Sequence, residues 1–524
     1  MGSLKGPSRI LAASLGSRTS DVFRFCAGFY SRIKYIKRRG TMVGITSYGA
    51  YIPWYRMNRT IIFEQLGWFN PATASVARGE KAVANYDEDS ITMAVAAALD
   101  CLGEISRGSV DGLYLGSTSI PFAQRQNAAI VSQGLDLPSG VRTADFGGST
   151  KAGTSALLSA LDAAGAGNRT MVCASENRLA KPGSSQEHTY GDGAAAFLTG
   201  NENVLAHFKG SFSVSSDFID FRRIQEEKFC HGWEERWIRD AGYSRIIPEA
   251  VAGLTNRYDL KMSDFAKIIL ACPVAGAMKG LIKSIGATPE QMQDTMIAQV
   301  GDTGAALPLM MLAAALEDAK EGDKILVVSY GSGSDALYFE VTDKIGEAQK
   351  GGRKGISGYL AERKDLSVYG KYLVFRNLIP LEVGIRGEEI SPTAMSAVGR
   401  DGNAISALVG SRCGACGTPQ YPKQRICVNP DCGAVDDMED YRFSDKKGVL
   451  ASYTGDNLAF SWDPPQIYGL VDFEDGGRIL LDLTDCSLDS VKVKMPVIMS
   501  FRKKYADPQR GYYGYFWKAV PVKQ

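Results

Sequence analysis

Histidine is nearly missing from this chain: 524 residues hold three, His188, His207 and His231. Any mechanism that needs an imidazole base has only those places to look. Long hydrophobic runs are missing as well. No stretch of 18 consecutive apolar residues occurs, so a transmembrane helix is not expected. An excess of charge is missing too. The 59 Lys and Arg against 58 Asp and Glu leave a net charge of +1, so neither a nucleic-acid nor a membrane-surface partner is expected. A disulfide framework is not apparent either. Of ten cysteines, four fall between Cys413 and Cys432 and the other six are scattered. That usage suits one metal site plus isolated thiols in a reducing cytoplasm, and a cytoplasmic protein is the expectation.

What is present is an ordinary globular composition in a chain too long for one core, so about two to four domains are expected. Residues 1–41 differ from the rest, with nine Lys/Arg and a single acid, Asp21. They read either as a targeting segment or as sequence upstream of a true start at Met42, where Met-Val-Gly-Ile-Thr opens a first strand. From 42 to about 345, short apolar strands alternate with small-residue helices, the pattern of α/β layers. The strands expected are 112–115, 141–146, 170–174, 194–198, 267–271, 324–329 and 336–341. The helices expected are 90–102, 124–133, 150–166, 247–258, 277–285 and 305–317. An internal echo links Met171-Val-Cys-Ala-Ser and the later Gly191-Asp-Gly-Ala-Ala-Ala-Phe-Leu to Ile325-Leu-Val-Val-Ser and Gly331-Ser-Gly-Ser-Asp-Ala-Leu-Tyr-Phe. Two related halves would explain it. Residues 346–358 read as a Gly/Lys-rich loop. Residues 359–380 read as a polar helical stretch anchored by Tyr359, Tyr369, Tyr372 and Phe375. From 448 to 522, closely spaced strand signals suggest a small all-β barrel.

Two motifs carry chemistry. In Phe146-Gly-Gly-Ser-Thr-Lys-Ala-Gly-Thr-Ser a strand runs into a helix N-terminus. Unpaired N–H groups and the helix dipole there favour an anionic nucleophile such as a thiolate. The residue in that place is Thr150, which gains almost nothing from the field. The second motif is Cys413-Gly-Ala-Cys416, followed after ten residues by Cys427-Val-Asn-Pro-Asp-Cys432. Two such knuckles supply the tetrahedral sulfur set that zinc prefers, although spacing alone also admits a rubredoxin-type iron. With all four positions filled by cysteine, the metal's role is structural.

Residues 42 to about 380 resemble the archaeal-type 3-hydroxy-3-methylglutaryl-CoA synthases of the thiolase superfamily. The resemblance rests on Gly49-Ala-Tyr-Ile-Pro-Trp-Tyr-Arg, Gly116-Ser-Thr-Ser-Ile-Pro, Lys151-Ala-Gly-Thr, Ser216-Asp-Phe, Val300-Gly-Asp-Thr and Ser329-Tyr-Gly-Ser-Gly-Ser-Asp-Ala. Residues from about 385 to 524 resemble the zinc-ribbon/OB-fold proteins that accompany such enzymes. The resemblance implies an α/β, thiolase-like doubled α-β-α-β-α core followed by a zinc ribbon and a small OB-like barrel. The divisions expected are a basic extension 1–41, thiolase-like halves 42–210 and 211–345, a linker and helical arm 346–405, a ribbon 406–436 and a barrel 437–524. It also implies a coenzyme A thioester as substrate, and a homodimer or a complex with a thiolase.

The family acylates a cysteine with help from a glutamate and a histidine, and those residues are not found here. The nucleophile position is Thr150, the glutamate position Thr118 and the histidine position Ala271. Further family positions are Ile120, Val274, Gly276 and Asp302. A threonine hydroxyl needs an adjacent base to attack, and none remains at the family positions, so standard acyl-enzyme catalysis is not expected. Three readings stand. One is non-covalent aldol or retro-aldol chemistry on acyl-CoA, the second an acyltransferase with a displaced catalytic set, the third a non-catalytic subunit. Asp302, Tyr190, His188, His231, Cys272, Thr150 and Thr118 are the catalytic candidates, Thr150 at most as a hydrogen-bonding wall of an acyl-CoA pocket. Asp302 could take a proton or simply cap the helix that follows. Gly331, Ser332 and Gly333, a turn suited to an approaching thioester, are assigned with Arg125 to acyl-CoA binding. The barrel lacks a basic stripe, so it is expected to dock on the core and shape the substrate entrance rather than to bind nucleic acid.

Overall fold

The computed structural model describes residues 42–274, 276–388 and 392–523; the basic segment 1–41 lies outside the described residues. The strands of the core are β1 (Gly44–Tyr51), β2 (Tyr55–Asn58), β3 (Glu80–Val83), β4 (Gly112–Gly116), β5 (Arg142–Phe146), β6 (Thr170–Glu176), β7 (Gly193–Gly200), β8 (Ala206–Ser215), β9 (Phe221–Arg222), β10 (His231–Gly232), β11 (Lys267–Leu270), β12 (Lys324–Tyr330), β13 (Gly333–Val341) and β14 (Lys364–Asp365). Its principal helices are α1 (Ser90–Leu102), α2 (Asn127–Gly134), α3 (Ala152–Gly165), α4 (Ser244–Tyr258), α5 (Ala277–Ile285) and α6 (Leu307–Asp318). Nine strands join in the order β11-β12-β13-β8-β1-β7-β6-β4-β5. The join between halves is thin: β1 and β8 pair only through Gly44 with His207 and Ile45 with Ala206.

The internal echo is structural. In each half a central helix (α3 or α6) leads into a strand (β6 or β12) that pairs in parallel on one side and antiparallel with the next strand on the other. Strand alternation then sorts the side chains into layers. Met171, Cys173, Ala194 and Ala196 face α1, whereas Val172, Ala174, Ala195 and Phe197 face α3 and α6. In the other half Ile325, Val327, Leu337 and Phe339 face the same two central helices, and Leu326, Val328, Ala336 and Tyr338 face α4 and α5. Five layers, α-β-α-β-α, follow directly. The central helix lies close to the turn before α6. A Cβ on Gly153 would meet the Ala305 carbonyl oxygen at 2.3 Å.

A three-stranded sheet built from β15 (Val409–Cys413), β16 (Pro419–Gln420) and β17 (Met438–Arg442) forms the ribbon. Five antiparallel strands follow, β18 (Gly448–Asp456), β19 (Gln466–Phe473), β20 (Arg478–Asp482), β21 (Pro496–Asp507) and β22 (Tyr512–Pro521), in the order β20-β19-β18-β21-β22. A bridge between Leu483 and Ala519 closes them into a barrel. The barrel's apolar face, including Phe501 and Trp517, shares one core with α1 and α2. Charge is buried in the same seam: Arg502 meets Glu88 at 2.7 Å and also faces Asp485, while Lys518 meets Asp87 at 2.9 Å.

Candidate active site and metal centre

The loop after β5 delivers Thr150 to the start of α3. Its hydroxyl does not stand free; it donates to the Tyr330 carbonyl oxygen at 2.7 Å. Gly331, with φ of +154°, makes this approach possible, since a Cβ there would sit 2.5 Å from the Thr150 and Ser149 hydroxyl oxygens. Opposite, the loop after β4 carries Thr118. Its backbone N–H and its hydroxyl both donate to Glu176, at 2.7 and 3.1 Å, and the Ser119 hydroxyl donates to the same carboxylate at 2.8 Å. Glu176 is fully buried at the end of β6, and burial pushes its carboxyl above the usual range despite Arg178 and these donors.

Arg178, two residues beyond, is the centre of the site. Its Nη2 donates to the Asp302 carbonyl oxygen at 2.7 Å and lies 2.8 Å from an Asp302 carboxylate oxygen. Its guanidinium stacks over the Tyr190 ring, 3.9 Å from the centroid. Burial opposes its charge, but Asp302, Tyr190 and Glu176 outweigh that cost and hold its pKa above the ordinary value. The other Asp302 carboxylate oxygen accepts the Gly304 N–H at 2.9 Å. Asp302 therefore caps the turn that leads into α6 and also walls the cleft. Burial raises the Tyr190 phenol above its ordinary range.

These residues enclose a cleft with two lobes that share Thr150, Arg178, Tyr190 and Phe221. The inner lobe, about 320 Å³, adds Asp302 and Glu235, with Tyr243, Ala271, Val274 and Leu307 among its apolar walls. The outer lobe, about 400 Å³, holds Thr118, Gly331 and Ser332, and its rim carries Arg222, Arg223 and Lys228. One side chain absent from the sequence-based candidates, Cys230, lines this outer lobe.

Other candidates stand apart from the cleft. His188 is fully buried in the short helix Ser185–Thr189, with its Nδ1 3.2 Å from the Ser184 carbonyl oxygen. Burial holds its imidazole below the usual pKa. The helix turn that brings Tyr190 into the wall points His188 behind it. His231 lies on exposed β10, 3.1 Å from Glu227. Cys272 packs with α4 and α5 while its neighbour Ala271 faces the central layer, because alternate residues take opposite faces. Burial pushes the Cys272 thiol up to about 12. Arg125 sits between the Phe122 and Tyr512 rings, 4.7 and 4.9 Å from their centroids, and fastens the Thr118 loop to the barrel. Gly333 is pressed on β8, where a Cβ would meet the Val214 oxygen at 1.9 Å, so it serves the fold.

Sequence reasoning missed Glu176 and Arg178. The signal for the first was present: an acid closing the apolar run Met171-Val-Cys-Ala-Ser. Nothing local marked Arg178, because its partner Asp302 lies 124 residues away.

The four ribbon cysteines converge. Their sulfurs all lie within 4.8 Å of one another, with Cys413 to Cys432 at 3.8 Å and Cys416 to Cys427 at 3.5 Å. A tetrahedron with zinc–sulfur bonds of about 2.3 Å has sulfur–sulfur edges of about 3.8 Å, so the set fits zinc. Cys413, Cys416, Cys427 and Cys432 would hold the ion and leave it no open position, and the ion would tie the two knuckles together.

Known proteins place these parts. Residues 404–439 match the family described as the ChsH2 rubredoxin-like zinc ribbon domain, and residues 441–502 match the ChsH2 C-terminal OB-fold domain. The hydroxymethylglutaryl-CoA synthase of Methanopyrus kandleri is 33% identical over 342 residues, spanning 63% of this chain and 96% of the relative. That of Methanocaldococcus jannaschii is 31% identical over 352 residues, spanning 65% of this chain and all of the relative. A crystal structure of an HMG-CoA synthase complexed with CoA shares the fold, with a TM-score of 0.58 at 20% identity over 67% of this chain and 95% of that one. The layered core, the site built on its central helix and these likenesses together make the chain a member of the hydroxymethylglutaryl-CoA synthase family.

Proposed function

We propose that the protein acts on acyl-CoA thioesters and makes or breaks a carbon–carbon bond without a covalent acyl-enzyme, in an aldol or retro-aldol step. The observation that carries this reading is the fate of Thr150. Its hydroxyl proton is committed to the Tyr330 carbonyl, and among the described residues neither an imidazole nor a carboxylate bonds to it. Beside it, the Arg178–Asp302 pair and the Tyr190 ring stacked on Arg178 form one buried group in the cleft wall. Each Asp302 carboxylate oxygen has one partner, which leaves lone pairs for a substrate proton. In the cleavage direction Asp302 takes the proton of a 3-hydroxyl group, the bond between carbons 2 and 3 breaks, and its electrons pass into the thioester as an enolate. The Arg178 charge stabilises that enolate through space, and a proton returned to carbon 2 completes the acyl-CoA product. The rim cations Arg222, Arg223 and Lys228 suit the phosphates of a CoA thioester. The β21–β22 hairpin supports the entrance from behind, since Tyr513 packs on Phe122 at 5.6 Å in the Thr118 loop.

A panel of acyl-CoA and 3-hydroxyacyl-CoA thioesters, followed by mass spectrometry, tests this. Carbonyl and acyl-CoA cleavage products that vanish in Asp302→Asn support it. The acyltransferase reading has one observation in its favour, the Cys230 thiol in the outer lobe. A covalent acyl adduct on the Cys230 peptide would establish that alternative and sink the first. CoA binding with no turnover on any thioester would leave the chain a subunit of a larger complex.

A further inference from the structure

A large cavity lies away from the cleft, at the seam between core and barrel. It measures about 870 Å³, and a second of about 560 Å³ shares Trp54, Asp485 and residues 521–523 with it. Neither shares a lining residue with the catalytic cleft. Four lysines line the smaller one: Lys364 from the core and Lys492, Lys494 and Lys523 from the barrel. None of the four has an ion-pair partner among the described residues, although neighbouring cations do: Lys371 meets Asp463 at 2.6 Å and Lys518 meets Asp87 at 2.9 Å. The one acid lining this cavity, Asp485, is already engaged by Arg502.

Two of these lysines crowd a single indole. The Lys523 ammonium lies 3.8 Å from the Trp54 ring centroid and that of Lys364 lies 4.9 Å from it. Each gains from the electron-rich ring, while two like charges gathered on one indole repel one another. Burial holds the Lys523 ammonium down at about 8, although Asp485 and Glu362 act against that shift. A phosphate placed between them would turn that repulsion into two attractions. The ammonium groups are point charges suited to phosphate rather than to a planar carboxylate fork. Once they turn to an anion, the indole face is free to stack on an aromatic base.

We propose that this seam groove is a second ligand site, for a nucleoside polyphosphate, with the base on Trp54 and the phosphates among Lys364, Lys492, Lys494 and Lys523. Core and barrel both supply contacts, so the ligand holds the two together and stabilises the folded chain.

Calorimetry and thermal melting of the full chain with ATP, adenosine and inorganic tripolyphosphate test this. ATP should bind more tightly than either part-ligand and raise the melting temperature in proportion to occupancy. The double charge reversal Lys492→Glu/Lys494→Glu, at exposed positions, should weaken ATP about ten-fold or more by removing two attractive charges and adding two repulsive ones. Trp54→Phe should keep most of the affinity, while Trp54→Ala should make ATP no better than tripolyphosphate. Arg222→Glu/Arg223→Glu, at the catalytic rim, should leave ATP binding unchanged. Absence of ATP binding overturns the proposal, as does binding that survives the lysine reversals or is lost with the rim pair. Equal affinity for ATP and tripolyphosphate in the unmodified chain reduces the groove to a phosphate site and overturns the nucleoside assignment.

Discussion

At the scale of single residues, the site is governed by pairs. Arg178 and Asp302 are both nearly buried, with side-chain exposures of 11% and 8%, and each is tolerable only because of the other. Arg178→Met keeps the volume and removes the charge, leaving the nearly buried Asp302 without its cation. Breaking such a pair from one side costs about 3–5 kcal/mol, so we expect a loss of that order in denaturant titration. Arg178→Lys should recover only part of it, because an ammonium cannot make the same stack on Tyr190. Thr118 and Thr150 show the other side of this scale. Both stand where an ionisable group is expected by resemblance, and both have their hydroxyls committed within the fold, one to Glu176 and one to the Tyr330 carbonyl. Their residue types were plain in the sequence; their partners were not.

At the scale of elements, local rules worked where an element carries its own signals. Helix α1 runs over Ser90–Leu102 as its pattern predicts, and Asp89 caps it by accepting the Ile91 and Thr92 N–H groups at 3.0 Å. Asp89→Ala should cost about 1 kcal/mol in thermal or chemical unfolding, with an added penalty because Tyr515 donates to the same carboxylate at 2.8 Å. Helix α3 begins at Ala152, two residues later than its apolar period suggests, because Thr150 is held by the opposite half. Strand β8 escaped the sequence reading. Its Ala206–Ser215 stretch mixes His, Lys, Ser and Gly, and its strand character comes from pairing with β13. Residues 346–358, read as a loop, hold parts of two short helices, Ile345–Gln349 and Gly355–Ala361. The ribbon is the element most dependent on its ligand. Metal analysis should find one zinc per chain, and Cys427→Ser should remove it and melt residues 409–442 while the core transition stays in place.

At the scale of the whole molecule, the barrel is bound to the core by apolar packing and by a buried charge cluster. Glu88 lies in that cluster with Arg502, Asp87, Asp485, Lys518 and the Tyr51 hydroxyl. Three carboxylates face two cations, and burial pushes the Glu88 carboxyl up to about 7. A carboxyl with a raised folded pKa binds its proton more tightly in the folded state. Its stabilising contribution is thus full below the unfolded pKa and is lost as pH rises through the folded value. Between pH 4.5 and about 7 the stability of the unmodified chain should therefore fall relative to Glu88→Gln. Melting temperatures of the two proteins across that range check it, and parallel curves would remove Glu88 from the account.

The sequence by itself determined the α/β alternation, the paired halves, the four-cysteine knuckles and the residue types Thr150, Thr118 and Ala271 at the motif positions. Those properties are local: periods of 2 and 3.6, fixed spacings, and residue types at motif positions. The tertiary structure alone decided that Glu176 stands behind Thr118, that Arg178 joins Asp302 across 124 residues, and that His188 turns away from the cleft. It also decided that Lys364 and Lys523 meet over Trp54. These are meetings of side chains from distant segments. Their energies depend on which charges and donors share a buried space, and that is set only when the five layers and the barrel have packed.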